Sequence, residues 1–139
     1  MTPYEYLVLI VFGLICGSFL GMLTYRLPRS LPFGGRSYCD HCKRKLLWRE
    51  NIPLFSYLIL KNCRCGKKIP SRYAIIEAIT AGFFVLTGYA YSVNLSGALL
   101  ETLHTRLGFL ALPYLLIIVM ALIALAVIDV ERQILPDTL

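Results

Sequence analysis

Leu107-Gly108-Phe109-Leu110-Ala111-Leu112-Pro113-Tyr114-Leu115-Leu116-Ile117-Ile118-Val119-Met120-Ala121-Leu122-Ile123-Ala124-Leu125-Ala126-Val127-Ile128, running straight into Asp129-Val130-Glu131, decides the fold of this chain. No charged side chain interrupts the run before Asp129, and a bilayer core takes roughly 20 residues of helix. A carboxylate at the edge of such a span is costly unless it is solvated, paired or used. Pro136 breaks the helix shortly afterwards, which puts Asp137 in a surface turn.

Two more stretches lack charge over a comparable length, Tyr6 to Tyr25 and Ala78 to Leu100. Spanning backbone must satisfy its own hydrogen bonds, so all three are expected to be transmembrane helices. The first is too long for a cleavable signal peptide, has no basic residue ahead of it, and shows no small-x-small site before Arg26. The expected fold is an all-α polytopic membrane protein of three transmembrane helices, with a small cytoplasmic cysteine-pair loop between helices one and two. With 58% hydrophobic residues in 139, the composition excludes an ordinary soluble domain.

The net charge of +6 suggests a nucleic-acid partner, but its distribution argues against one. Of fourteen Lys and Arg residues, all but Arg106 and Arg132 fall between Arg26 and Arg72. Such a bias in a short loop is the positive-inside signal and implies contact with anionic lipid. It predicts the N-terminus outside, the loop in the cytoplasm, the link from Asn94 to Thr105 outside, and Asp129 at the cytoplasmic face.

Gly13, Gly17 and Gly21 recur every four residues and stack on one helix face. They predict a close helix contact, or alternatively a groove that admits a substrate helix. Cys16 reads as a small buried residue. Leu27-Pro28-Arg29-Ser30-Leu31-Pro32-Phe33-Gly34-Gly35 ends the first helix. Pro53 opens the apolar run Leu54 to Leu60, a short interfacial helix or strand. Ser71 is a candidate N-cap for the second helix, leaving Glu77 near its first turns, where the helix dipole and Arg72 favour a carboxylate. A functional role for Glu77 is equally open, and His104 and Glu101 are assigned none.

Cys39-Asp40-His41-Cys42 and Cys63-Arg64-Cys65-Gly66 form two thiol pairs within the basic loop. Pairs at this separation suggest a four-thiolate structural zinc site built from Cys39, Cys42, Cys63 and Cys65. Disulfides or free thiols are the alternative, and disulfides would need an oxidising compartment. One residue instead of two separates Cys63 from Cys65, so His41 is a possible substitute ligand. A metal there would tie down a loop too small to hold its own core.

Together these residues resemble the type IV prepilin peptidases, membrane leader peptidases that are also N-methyltransferases. The resemblance rests on Gly17-Ser18-Phe19-Leu20 through Tyr25-Arg26-Leu27-Pro28, and on the cysteine pairs with Ile52-Pro53-Leu54 and Ser56-Tyr57-Leu58 between them. Ile69-Pro70-Ser71-Arg72-Tyr73 with Glu77, and Ile128-Asp129 with Leu135-Pro136-Asp137, complete it. Gly21 and Ala74 depart from the family's usual Asn and Pro.

The resemblance implies an aspartic endopeptidase of the inner membrane that removes the basic leader of prepilins or pseudopilins at the cytoplasmic face. It then methylates the new N-terminus with S-adenosylmethionine. Asp129 matches the first catalytic aspartate and Asp137 a supporting position. The family's second aspartate lies in a Gly-x-Gly-Asp motif that this sequence lacks. The chain is therefore expected to be a truncated polypeptide or split gene product, inactive alone and needing a C-terminal half in cis or in trans. On this division, residues 1–27 are helix one, 28–70 the basic zinc-binding loop, and 71–139 helices two and three with the first aspartate motif. A non-catalytic, zinc-stabilised membrane scaffold of a secretion or pilus system is the competing reading. A transporter fragment using Asp129 and Glu77 is weaker, because both acids lie near one face rather than at the bilayer centre.

Overall fold

A computed structural model describes residues 2–30, 71–93 and 105–134, together with Pro32, Cys42, Cys65 and Thr102. Three long helices carry it, α1 (Pro3–Arg26), α2 (Ser71–Ser92) and α3 (Ala111–Ile134). Each lies in a helical stretch long and apolar enough to cross a membrane. No strand occurs among the described residues. The chain is an all-α polytopic membrane protein.

Helix α1 starts where Pro3 supplies a fixed φ at a position needing no N–H. The Thr2 N–H donates to Glu5 Oε2 at 2.6 Å, so the first turn closes on itself. At the other end Pro28 falls in a 3-10 turn, Leu27–Arg29, and Ser30 takes a left-handed φ of 52°. Helix α3 is entered through another 3-10 turn, Gly108–Leu110, with Gly108 at φ 53°. Pro113 has no N–H for the Phe109 carbonyl, and the tighter turn sits where that α-helical bond is missing.

Helices α1 and α2 run antiparallel and meet backbone to backbone at Gly13 and Gly17. A Cβ built on Gly13 would lie 2.6 Å from the Ala81 Cα, and one on Gly17 2.6 Å from the Glu77 Cα. The glycine face is thus filled by α2, as a close helix contact requires, and is not the alternative groove for a substrate helix. Backbones approach this closely only where side chains are absent.

Helix α3 lies against the pair and contributes to two apolar clusters. Leu9, Phe84 and Leu116 form one, with Cys16 packed at its edge; Leu20, Ile76 and Ile123 form the other. Phe84 is fully buried, whereas Ile15, Leu86, Ile117 and Leu125 point outward, as lipid-facing residues do.

Helix α2 begins at Ser71, where the sequence offered a cap, and so extends ahead of the charge-free run that opens at Ala78, because Arg72 and Glu77 face the other helices. Helix α3 continues past Asp129 to Ile134, short of Pro136. Residues 94–100 and 135–139 lie outside the described residues, so the predicted end of span two and the turn at Pro136 do too.

Candidate functional site

Asp129 sits in the last turns of α3 and is exposed. It borders an open surface depression with Leu125, Ala126 and Ile128. Residues three and four positions apart share a helix face, so the carboxylate tops a short apolar wall. An acid so placed can meet an extended peptide entering from water.

Two residues further on, Glu131 has a different environment. Its Oε1 accepts from Arg72 Nε in an ion pair, with both side chains about three-quarters buried. The same guanidinium donates through Nη1 to the Gly21 carbonyl at 2.9 Å and through Nη2 to Thr24 Oγ1 at 2.8 Å. Thr24 in turn donates to the Leu20 carbonyl at 2.9 Å. One cation at the start of α2 therefore binds the end of α1 and the end of α3 at once. The rigid fork of arginine suits such a three-way contact, which an ammonium would hold less well.

Aromatic rings complete this end of the bundle. The Arg72 guanidinium carbon lies 5.2 Å from the Tyr73 ring centre and 5.8 Å from that of Tyr25. Arg29 lies over the Tyr25 ring too, at 4.2 Å, and donates to the Tyr25 carbonyl at 2.9 Å. Rings beside guanidinium groups offset part of the cost of holding charge away from bulk water.

Glu77 is 1% exposed and lies against Gly17, with Thr80 and Thr24 fully buried on the same seam. Thr80 satisfies its hydroxyl by donating to the Ile76 carbonyl at 2.7 Å. The expectation of a first-turn carboxylate favoured by the dipole and Arg72 left out its burial between two spans.

Of the predicted residues, Asp129 is exposed near the end of α3, and Cys42 and Cys65 are both exposed. Asp137, Cys39 and Cys63 lie outside the described residues, as do His41 and the Arg132 side chain. Among the described residues no group of His, Cys, Asp or Glu is gathered to hold a metal ion. Sequence reasoning missed the Arg72–Glu131 pair. An acid and a base so far apart in the chain, each at the end of an apolar run, were the available signal.

Comparison with known proteins places the chain. Residues 11–91 match the profile described as Bacterial Peptidase A24 N-terminal domain. The chain belongs to this family. A prepilin leader peptidase/N-methyltransferase of Klebsiella pneumoniae is 36% identical, over 91% of this chain and 53% of that protein. Another, of Dichelobacter nodosus, is 31% identical over 99% and 54%. A type 4 prepilin-like proteins leader peptide-processing enzyme of Escherichia coli is 36% identical over 90% and 49%. The chain thus spans about half the length of these A24 relatives. No solved structure matches it.

Proposed function

We propose that this A24 domain supplies one of two carboxylates of a membrane aspartic endopeptidase. The enzyme cuts the leader from prepilins or pseudopilins at the cytoplasmic face of the inner membrane, and its partner carboxylate comes from a C-terminal half. The observation that carries this reading is the exposure of Asp129 near the end of α3, beside the apolar depression of Leu125, Ala126 and Ile128. The relatives' names agree with it.

In this mechanism two carboxylates share one proton. The ionised one takes a proton from water as that water attacks the scissile carbonyl, and the protonated one gives its proton to the carbonyl oxygen. As the tetrahedral intermediate collapses, the first passes its new proton to the leaving amine and the second recovers one from the gem-diol hydroxyl. Asp129 is the first of the pair, with Asp137 in support. The apolar wall of Leu125, Ala126 and Ile128 would take the substrate where its basic leader meets its apolar segment.

The new N-terminal amine then receives a methyl group from S-adenosylmethionine, the donor the family resemblance implies. The four thiols of Cys39, Cys42, Cys63 and Cys65 fit a closed zinc site. That metal is structural in this reading, and no step of cleavage passes through it.

Residues 1–139 alone are expected not to cleave prepilin, because one carboxylate cannot act as both acid and base. The test is co-expression with the C-terminal half of a prepilin peptidase, with leader removal followed by gel shift. Cleavage should need both halves and vanish with Asp129→Asn. Processing at the unaltered rate by the Asp129→Asn pair would refute the assignment and leave a scaffold role.

A further inference from the structure

On a helix, residues two apart point about 200° away from each other and differ by about 3 Å in height. Glu131 and Asp129 stand in that relation on α3. Glu131 turns inward and is bound by Arg72, whose other two nitrogens are fixed to the Gly21 carbonyl and to Thr24 Oγ1. Those acceptors belong to the last turns of α1, the helix held tightest in the bundle through Gly13 and Gly17. The rotation of α3 is thereby referred to a rigid frame, and Asp129 is directed to the opposite side.

We infer that Arg72 and Glu131 are a positioning pair for the proposed aspartyl chemistry. Their ion pair sets the rotation and height of the end of α3, so that Asp129 faces outward, and the second carboxylate must approach from the side of α3 remote from α1 and α2. The inference rests on the reading of Asp129 given above. Neither Arg72 nor Glu131 touches the reacting atoms in this role. What they supply is orientation, and misplacement by about 1 Å can cost on the order of 100-fold in rate.

Two measurements test the pair. The first needs no activity: the chain in detergent is treated with a carbodiimide and glycine ethyl ester, and labelled acids are mapped by mass spectrometry. Asp129 should take the label while Glu131 resists it, and Arg72→Gln should raise Glu131 labelling at least three-fold. The second uses the chain co-expressed with a C-terminal half and reads kcat and KM separately. Arg72→Gln and Glu131→Gln should each lower kcat about ten-fold and leave KM within two-fold.

Arg72→Lys, which keeps the charge without the planar fork, should fall between. The exchanged pair Arg72→Glu with Glu131→Arg should regain part of the lost kcat. Should Arg72→Gln fail to fold, the lysine and exchanged variants carry the same comparison. Equal labelling of Glu131 and Asp129 in the unaltered chain, or an Arg72→Lys enzyme with unchanged kcat, would overturn the inference. Full cleavage by Asp129→Asn together with a protected Glu131 would instead refute the catalytic reading and leave the ion pair as a structural contact.

Discussion

The contact between α1 and α2 yields a graded prediction. Non-bonded carbons sit best at about 3.5–4.0 Å, yet a methyl group at Gly13 or Gly17 would lie 2.6 Å from a Cα of α2. Since backbone cannot swing aside as a side chain does, the two helices would have to separate by about 1 Å. Over-packing of this kind costs about 1–3 kcal/mol. Alanine also returns up to about 1 kcal/mol of helix propensity, so the reference should be another glycine. Gly82, on α2, has nothing within 4 Å of its built Cβ. Relative to Gly82→Ala, Gly13→Ala and Gly17→Ala should each destabilise by about 1–3 kcal/mol, a 5- to 150-fold loss in the folded ratio. Gly21→Ala meets the Tyr73 ring at 3.0 Å, and a ring can move, so its loss should be the smallest of the three. Pulse proteolysis across a sodium dodecyl sulfate titration in mixed micelles measures the series. Equal midpoints for Gly13→Ala, Gly17→Ala and Gly82→Ala would refute the backbone-contact reasoning.

Two further expectations concern the segment between α1 and α2. Elemental analysis of the purified chain should find about one zinc per molecule, as four thiolates fill one tetrahedral shell, and Cys39→Ser with Cys42→Ser should remove it; metal-free unaltered protein would rule the site out. Trypsin should cut within residues 28–70 in inverted membrane vesicles and spare that segment in intact spheroplasts, because twelve of the fourteen basic residues lie between Arg26 and Arg72. Fragments from intact spheroplasts that end inside 28–70 would reverse the orientation.

The three spans were legible because a charge-free run as long as a bilayer is thick can be read directly along the chain. The Gly13, Gly17 and Gly21 spacing also announced a close helix contact, though not its occupant. The same rule bounds the apolar run and not the helix that carries it. The charge-free stretch opens at Ala78, whereas the helix starts at Ser71, where the sequence offered a cap, and takes in Arg72 and Glu77. A charge ends a span only if it must face lipid, and these two face α1 and α3 instead. The Glu131 partnership was hidden for a related reason: it joins residues 59 apart in sequence, and no periodicity links separate helices. Asp129 stands out in the sequence because an acid closing an apolar run is a local signal.

A seam of backbone against backbone also has a consequence for biogenesis. Glycines bring no rotamers to be frozen, so α1 and α2 can zip into a hairpin with little entropic penalty once both have left the translocon. Helix α3, emerging after them, then docks on this template, and the guanidinium waiting at its rim acts as the latch that stops its rolling.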